Sequence, residues 1–331
     1  MNTPNKLTRA LGLCSGSLES TLAALVLRKQ GIAVEWITFE TPFFSAANAR
    51  RAAEITGIPL TVENITAEYV AMLRDPACEY GQSRTPCSDC HALMYRKAAE
   101  IMREKGFDFL FSGEVVGRRS MPQTEPSRRC VAESPNRTAD ILRPLSAKLL
   151  PETAAERNGL VDRTELLDIA GRSRKRQMQL ADDFGLAEYP APDGGCLLTD
   201  EGFSNRLRDL FHHQEGLGEN ELNLLRYGRH FRLKGGAKLI VGRDQGDDDN
   251  LLRYHEPKTD VVIRLRDYPG PIALVPGGSS RDLITLAASI CAGYGQVPAF
   301  TPVEVSVTSA GIRETLRVLG LPPSDVRRFL I

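Results

Sequence analysis

The amino-acid sequence predicts an α/β protein in which a parallel sheet flanked by helices is followed by a second, small α+β domain. In the first part of the 331-residue chain, short apolar runs alternate with amphipathic segments, as in successive βαβ units. Beyond about residue 215 the pattern changes to short strands, two of which surround Gly235-Gly236 as in a hairpin. We therefore expect a first domain over residues 1–215, including a helical connector, and a second domain over residues 216–331.

Each element follows from the spacing of apolar residues and from the turn residues between them. In the first domain the pattern predicts strands at Leu11–Cys14, Ala33–Phe39, Leu60–Val62 and Phe107–Phe111. It predicts helices at Leu18–Lys29, Ala46–Thr56, Glu68–Leu73, Cys90–Lys105, Thr164–Ala170 and Lys175–Phe184. In the second domain it predicts strands at Arg229–Leu233, Ala237–Val241, Val261–Leu265 and Ile272–Val275, and a helix at Asp282–Tyr294. Asp247-Asp248-Asp249 is expected to form an exposed turn.

Composition excludes several classes of protein. The chain is 42% hydrophobic and 25% charged, which is typical of a globular protein, and we find no apolar run long enough to cross a bilayer. The N-terminal segment 1–6 lacks a signal-peptide core, so a cytoplasmic protein is expected. Seven cysteines, an odd and sparse set, favour metal or catalytic use over a disulfide framework.

The strongest candidate site lies at the start of the chain. The apolar run Leu11–Cys14 leads into the small-residue turn Ser15–Ser20, and a helical pattern follows at once. Loop N–H groups and the positive end of a helix dipole then converge on one point, which is a pocket for an anion such as phosphate. Neither GxxxxGK[ST] nor GxGxxG is present, so an ordinary strand–turn–helix remains an alternative. Ser112-Gly113-Glu114 also follows a predicted strand and would lie at the same edge of the sheet.

A second candidate site is formed by cysteines. Cys87 and Cys90 form a CxxC immediately before a helix, with His91 next to it, and Cys196 follows two glycines much later. Three thiolates would suit an iron–sulfur cluster with one open iron, or zinc with His91 as the fourth ligand. The same residues would also suit a redox-active pair with a resolving cysteine, or they are simply small buried side chains. Cys14 and Cys291 lie in apolar runs that indicate cores.

Three motifs in this order resemble a known family. The segment Ser15–Ser20 resembles the SGGxDS loop of the PP-loop ATP pyrophosphatases, with Ser17 in place of the second Gly and Glu19 in place of Asp. Together with Thr85–Cys90 and the later Gly194-Gly195-Cys196, it resembles the tRNA-thiolating branch of that family over about residues 8–200. This branch contains tRNA 2-thiouridylases, 4-thiouridine synthetases and their iron–sulfur-dependent relatives.

The resemblance implies an adenine nucleotide alpha-hydrolase-like fold and an ATP-dependent reaction. A uridine carbonyl oxygen attacks the α-phosphate of ATP, pyrophosphate leaves, and sulfur then displaces AMP. The residues implied to bind ATP are Cys14, Ser15, Gly16, Ser17, Glu19, Ser20, Phe39, Gly113 and Glu114. Glu19 would either bind Mg²⁺ through ATP or cap the helix, and we favour the cap. Arg143 would either line the nucleotide pocket or form a structural ion pair.

For sulfur delivery the resemblance implies that Cys87, Cys90 and Cys196 are catalytic and hold a [4Fe–4S] cluster. Zinc at the same residues is an alternative, and so is a persulfide on one thiol that a second cysteine releases. The sulfur would come from sulfide or from a sulfur-carrier protein.

The basic residues are clustered although the net charge is zero. Residues 226–243 contain no acid, and their Gly236–Arg243 strand end resembles the "VGR…N" signature of NFACT-R type RNA-binding domains. The sequence therefore predicts tRNA as a partner, with contacts from Arg172, Arg174, Lys175, Arg176, Arg229, Arg232, Lys238 and Arg243.

These observations together predict an ATP-dependent tRNA sulfurtransferase. Two alternatives remain: a PP-loop sulfur-insertion enzyme or ligase that acts on a small molecule, and a non-catalytic RNA-binding adaptor with a degenerate loop. The departures at Ser17 and Glu19 are what the adaptor alternative rests on, but we expect them to be tolerated variants of a catalytic loop.

Overall fold

A computed structural model of the chain describes residues 7–76, 87–117, 140–189 and 196–331. The chain divides into two compact units, Met1–Gly195 and Cys196–Ile331. The predicted motif residues Thr85, Pro86, Gly194 and Gly195 lie outside the described residues.

The first unit is built on a four-stranded parallel sheet in the order β3-β2-β1-β4. The strands are β1 (Arg9–Leu13), β2 (Ala33–Glu40), β3 (Leu60–Asn64) and β4 (Phe109–Ser112). Beyond β4, Leu142 forms a parallel bridge with Phe111 and extends the sheet by one short segment. The helices are α1 (Leu18–Lys29), α2 (Ala47–Thr56), α3 (Thr66–Arg74), α4 (Cys87–Glu104), the short α5 (Ala154–Arg157) and α6 (Lys175–Asp183).

The core of this unit explains why the predicted alternation became a parallel sheet. Trp36 of β2, Leu22 of α1 and Phe111 of β4 are buried in one apolar cluster. Such burial is the main force that holds helices against a sheet. Gly12 lies so close to the Phe111 ring that a Cβ at this position would be 2.2 Å from it. All the strands and helices predicted up to residue 111 are present, and their first and last residues differ from the predicted ones by a few positions.

One predicted helix of this unit is wrong. Thr164–Ala170 was expected to be helical, but the structure has a single 3₁₀ turn at Arg163–Glu165, after which the chain extends. Ala170 then pairs with Val116 in a parallel bridge. The apolar residues Leu166 and Ile169 are buried from an extended segment, which a 3.6-residue pattern over so few residues cannot distinguish from a helix.

The second unit contains a six-stranded antiparallel sheet in the order β10-β9-β7-β8-β6-β5. The strands are β5 (Arg229–Arg232), β6 (Lys238–Val241), β7 (Val261–Leu265), β8 (Ala273–Val275), β9 (Pro302–Ser309) and β10 (Ile312–Leu319). The helices are α7 (Glu201–His213), α8 (Glu219–Leu224), α9 (Gln245–Tyr254), α10 (Arg281–Gly293) and the short α11 (Pro323–Val326). Apolar residues of α10 pack on one face of the sheet, and those of α8 and α9 pack on the other.

The expected boundary near residue 216 falls inside this second unit, between α7 and α8. The reason is a set of polar contacts that tie α7 to the residues after it. Arg206 donates to the carbonyl oxygen of Leu225, and Asp209 pairs with Arg232 and Lys238.

The expected exposed turn at Asp247-Asp248-Asp249 is also wrong, because these residues form the first turn of α9. Asp247 and Asp248 are buried. The carboxylate of Asp248 accepts from the backbone N–H of Ile272 at 3.0 Å, and Asp247 pairs with Arg243. Acidic side chains at a helix N-terminus are stabilised by the helix dipole.

No helix among the residues that the structure describes is long and apolar enough to span a membrane.

Candidate functional site

The candidate site of the first unit lies at the carboxyl ends of β1 and β4. The chain leaves β1 toward β2 and β3 on one side and returns to β4 on the other. In parallel α/β sheets a ligand crevice forms at this switch point. Gly113, directly after β4, lies against the first turn of α1, where a Cβ would be 2.4 Å from the Ser20 nitrogen. The two segments predicted to bind ATP are therefore in contact.

The loop after β1 has a specific shape. Gly16 has a φ of +75° and lies against the backbone of Asn48, where a Cβ would be 2.2 Å from the Asn48 carbonyl carbon. Such a position requires glycine. The N–H of Gly16 donates to the Cys14 sulfur at 3.3 Å, and burial raises the pKa of the Cys14 thiol to about 11. This cysteine is thus a structural acceptor inside the loop.

Ser17, one of the two departures from the family pattern, is the N-cap of α1. Its hydroxyl accepts from the backbone N–H of Ser20 at 3.4 Å. The hydroxyl of Ser15 donates to the Ser17 hydroxyl at 3.0 Å from an exposed position. A serine at this position therefore preserves the helix start that an anion pocket needs.

Glu19, the other departure, lies in the first turn of α1, and the N-cap of that helix is Ser17. Its carboxylate is buried and pairs with Arg174, with distances of 3.1 Å from Nε to Oε1 and 3.2 Å from Nη2 to Oε2. The bidentate geometry is the strong form of an arginine–carboxylate pair. Because Ser17 supplies the cap, Glu19 instead links the first helix to the segment before α6.

Cys87 and Cys90 begin α4 and lie one helical turn apart, both half-buried. The next residue, His91, approaches Glu114, with 3.4 Å between Nδ1 and Oε1. Glu114 in turn follows Gly113, which contacts α1. Spatial contacts and chain neighbours therefore connect the cysteine pair to the loop after β1.

Glu114 is the centre of an ionic network. Its carboxylate pairs with Arg143, with 2.7 Å between Nε and Oε2. Burial alone would raise the pKa of Glu114, but hydrogen bonding from His91 and Tyr95 and the charge of Arg143 hold it well below its usual range. Burial and the charge of Glu114 raise the pKa of Tyr95 well above its usual value. Arg143 therefore forms the ion pair that was one of its two alternatives, beside the predicted nucleotide pocket.

Tyr95 was not among the residues that the sequence predicted for this site. It lies one turn after His91 on α4, so the four-residue spacing of two polar aromatic side chains was the available signal. Its phenol adds a neutral donor to the Glu114 network.

The remaining predicted residues of the first site are placed as follows. Phe39 is buried near the end of β2. Cys196 begins the second unit, where it is half-buried, and its carbonyl oxygen accepts from Thr199. Within the described ranges no group of three or more His, Cys, Asp or Glu side chains has the geometry of a metal site.

The basic cluster before α6 divides into two kinds of side chain. Arg174 is paired with Glu19, and Arg176 pairs with Asp168 at 2.7 Å. Arg172 and Lys175 are exposed. Arg176 is exposed as well, so Arg174, which is partly buried against Glu19, is the residue of the cluster least available for phosphate contacts.

The predicted basic surface of the second unit is largely compensated by acids. Arg232 and Lys238 share Asp209, with nitrogen–oxygen distances of 2.5 and 3.1 Å, and Arg243 pairs with Asp247 at 2.6 Å. Arg229 lies over the Tyr294 ring and donates to the carbonyl oxygen of Gly242. Asp209 and Tyr294 come from other elements of the unit, whereas Asp247 lies only four residues after Arg243.

Comparisons with known proteins agree with both halves of this description. Residues 228–330 match the family described as "NFACT protein RNA binding domain". The chain is 28% identical over 284 residues to the tRNA-specific 2-thiouridylase MnmA of Methylobacterium sp. strain 4-46, which covers 78% of this chain and 71% of that protein. It is 26% identical over 268 residues to the protein of the same name from Agrobacterium fabrum strain C58, with 75% and 61% covered.

Two solved structures are also similar. One is a predicted subunit of tRNA methyltransferase from Methanocaldococcus jannaschii, with 17% identity, a TM-score of 0.34 and coverage of 54% of this chain and 76% of that chain. The other is the C-terminal part of the fibronectin/fibrinogen-binding protein from Streptococcus suis, with 15% identity, a TM-score of 0.29 and coverage of 74% and 89%. The sequence matches confirm the predicted resemblance to tRNA-thiolating PP-loop proteins and to the NFACT RNA-binding domain.

Proposed function

We propose that this chain, similar in sequence to tRNA-specific 2-thiouridylases, is an ATP-dependent tRNA sulfurtransferase. A uridine carbonyl oxygen attacks the α-phosphorus of ATP, and the bond to the leaving pyrophosphate breaks. A sulfur nucleophile then attacks the activated ring carbon, and AMP leaves with the former carbonyl oxygen. The substrate is tRNA, so the proposal also assigns the protein to the cytoplasm.

The observation that carries the proposal is the contact series from the cysteines to the loop. Cys90 is followed by His91, His91 approaches Glu114, and Gly113 lies against the start of α1. Sulfur chemistry and nucleotide chemistry must act on the same base within one turnover. A cysteine pair beside a phosphate-binding loop supports that combination better than either motif alone.

In the adenylation step, the loop around Gly16 and the N-terminus of α1 would hold the phosphates of MgATP. Backbone N–H groups that point at a developing negative charge stabilise it without reorganising. Glu114 stays ionised at neutral pH, since the pKa of this carboxyl is well below its usual range. It would orient Arg143 and His91 at the edge of the pocket, where their positive or polar atoms can meet phosphate or base oxygens.

For sulfur delivery we propose that Cys87, Cys90 and Cys196 act together. The spacing of Cys87 and Cys90 at the start of α4 suits two sulfur ligands of one metal group, whereas Cys196 enters as the third ligand from the sequence resemblance alone, because no three such side chains among the described residues are in metal-binding geometry. A [4Fe–4S] cluster held in this way would supply an open iron that binds sulfide. Zinc at the same residues and a persulfide relay between the cysteines are the alternatives that the test must separate.

The reaction is tested with purified protein and with cells. Wild-type protein should catalyse ATP-dependent release of pyrophosphate that requires tRNA, and deletion of the gene should remove one thionucleoside from total tRNA by mass spectrometry. Unchanged thionucleosides together with no pyrophosphate release would leave the RNA-binding adaptor as the function, which the commitment of Glu19 to Arg174 favours. Turnover without tRNA but with a small acceptor would favour the alternative enzyme.

The cysteine assignment is tested by metal analysis of anaerobically purified protein. We expect iron and sulfide with visible absorption in the wild type, and loss of both in Cys196→Ala. Cys291→Ala is the matched control, because Cys291 is a buried core residue of the same unit. Stoichiometric zinc without iron, or full thiolation by Cys196→Ala, would contradict the cluster.

A further inference from the structure

One face of the sheet in the second unit is covered only in part. The apolar cluster formed by α8 and α9 on this face includes Ile240 of β6, Leu274 of β8 and Val262 of β7. Among the described residues, it includes none from β9 or β10. The side chains that β9 and β10 place on this face are exposed or half-buried. We call the part made by β7, β9 and β10 the open face.

Strand register determines which side chains lie on the open face. Ser306 of β9 is opposite Arg264 of β7 on one side and Thr315 of β10 on the other. Residues directly opposite each other, and residues two apart on one strand, point to the same face of a sheet. The alternate residues of β9 are valines buried in the cluster on the other face, as this rule requires. The polar residues on the open face are Arg264, Glu304, Ser306, Thr308, Arg313, Thr315 and Arg317.

The cations of the open face point into solvent. Arg264, Arg313 and Arg317 are all exposed. The carboxylate on the strands of this face belongs to Glu304, which is opposite Arg317 but forms its ion pair with Arg266, at 2.8 Å from Nη1 to Oε2. Arginines therefore outnumber carboxylates on these strands, and Glu304 is already engaged.

Two further carboxylates lie at the margin of the open face, on the side of β7. Asp248 of α9 is buried and accepts from the backbone N–H of Ile272, and the charge of Arg264 opposes the rise that burial causes in its pKa. Asp267 follows Arg266 in the bend after β7. The positive charge of the open face is thus partly offset near β7 and is strongest along the edge strand β10.

The spacing of the cations suits an extended polyanion. Arg313 and Arg317 are four residues apart on one strand, which separates their backbones by about 13 Å. Arg264 lies two strands away, at about 10 Å from β10. A single small anion contacts one such position, whereas a chain of phosphates passes over several. Guanidinium groups match phosphate geometry in a bidentate way, and the hydroxyl groups between them can bond phosphate or ribose oxygens.

We propose that the open face binds the sugar–phosphate backbone of RNA, with Arg264, Arg313 and Arg317 as phosphate contacts. No aromatic side chain is among the residues that the register places there, so the contact is to the backbone rather than to stacked bases. This inference rests on the proposed action on tRNA and adds the surface that holds it. These arginines are distinct from Arg232 and Arg243, which acids of the same unit already engage.

The test measures binding of a labelled tRNA transcript to the intact protein by fluorescence anisotropy over a range of salt concentrations. The test variant combines Arg264→Gln, Arg313→Gln and Arg317→Gln. Each phosphate contact contributes about 0.7–0.9 to the slope of log affinity against log salt. We therefore expect the slope to fall by about 2–3, and the affinity to fall about 100-fold or more at about 0.1 M salt.

A second triple variant removes the same charge from the other side of the sheet. It replaces three exposed arginines in or after α10 and α11, which pack on the opposite face: Arg281→Gln, Arg327→Gln and Arg328→Gln. Its affinity should stay within about threefold of the wild type once three phosphate contacts are preserved. Equal losses in the two triple variants would overturn the open face and leave RNA binding intact. A wild-type protein that binds no tRNA would instead contradict the proposed function.

Two measurements on the wild type do not depend on the folding of a variant. Bound tRNA should protect Arg313 and Arg317 from phenylglyoxal, read by mass spectrometry, and should leave Arg327 reactive. Unchanged modification of Arg313 and Arg317 would overturn the proposal. Polyglutamate that competes as well as an RNA of equal charge would identify an acidic protein as the partner and overturn RNA as the ligand of this face.

Discussion

The buried pair between Glu19 and Arg174 gives a quantitative prediction for the first unit. The two side chains are 8% and 18% exposed and belong to segments 155 residues apart. Removal of one partner from a buried pair leaves the other charge buried without its main counter-ion, which costs about 3–5 kcal/mol. Arg174 is partly exposed, so we expect Arg174→Met to lower the free energy of unfolding by about 3 kcal/mol, near the lower end of that range.

The double variant separates pairing from packing. Glu19→Gln alone leaves a cation that water can reach, so its cost should be about 2 kcal/mol, as for a lost hydrogen bond to a charged group. Once Arg174 is methionine, the glutamine at position 19 removes the buried negative charge, and the double variant should be no less stable than Arg174→Met. The effects of the two substitutions on the free energy of unfolding should therefore deviate from additivity by about 2 kcal/mol, which is within the range seen for residues in contact.

The assay uses the single tryptophan of the chain. Trp36 is fully buried in β2, so its fluorescence reports unfolding of the first unit. With a urea m-value of about 3 kcal/mol/M, the loss in Arg174→Met shifts the midpoint by about 1 M. The exposed pair of Lys29 and Glu165 is the matched control. A double-mutant cycle on this pair should give a coupling energy of less than about 0.5 kcal/mol. Additive effects at Glu19 and Arg174, within about 0.5 kcal/mol, would refute the reasoning.

Three further predictions concern the same unit. Gly113→Ala should weaken ATP binding at least about tenfold by calorimetry, or about 1.4 kcal/mol, because its Cβ would be 2.4 Å from the Ser20 nitrogen. At pH 8 the Cys14 thiol, with its pKa raised to about 11, is about 0.1% thiolate, so iodoacetamide should label the half-buried Cys87 before Cys14 by mass spectrometry. The lowered pKa of Glu114 contributes stability that is present above its unfolded value and is lost as pH falls through the folded value. Urea midpoints should therefore fall below about pH 4.5 in the wild type, and less in Glu114→Gln.

Each of these predictions has a defined contrary result. For the glycine, Gly216→Ala is the control, because nothing lies within 4 Å of a Cβ there; equal ATP affinity in both variants would contradict the close approach. Labelling of Cys14 at the rate of Cys87 would contradict its burial. If the urea midpoints of the wild type and of Glu114→Gln fell by the same amount as the pH is lowered, the Glu114 network would contribute no pH-dependent stability.

Local patterns in the sequence were sufficient for the sheet and for the loop. The apolar runs before Ser15 and Ser112 predicted parallel strands, and parallel strands bring their carboxyl ends to one edge. The contact between Gly113 and Ser20 follows from that rule. The same patterns were insufficient at Leu166–Ala170, where a few buried apolar residues fit a helix and an extended segment equally well.

Charge was the property that the sequence predicted least well. Residues 226–243 contain no acid, yet Asp209 and Asp247 compensate three of their cations from other helices. Glu19 was assigned to Mg²⁺ or to a cap because its partner, Arg174, is remote in sequence. Arg243 and Asp247 are only four residues apart, but the pairs made by Asp209 and by Glu19 depend on a distance in space that no local pattern encodes.

The sequence by itself determined the parallel order of elements in the first unit, the glycine-containing loop, the cysteine pair at a helix start and the resemblance to tRNA-thiolating proteins. These features are set by residue type and spacing within a few turns of chain. Tertiary structure alone decided which charges are neutralised, that Glu114 joins His91 and Arg143, and that the arginines of β7 and β10 share one exposed face of the sheet. The physical reason is that burial and electrostatic partnership arise from segments that meet only when the chain has folded.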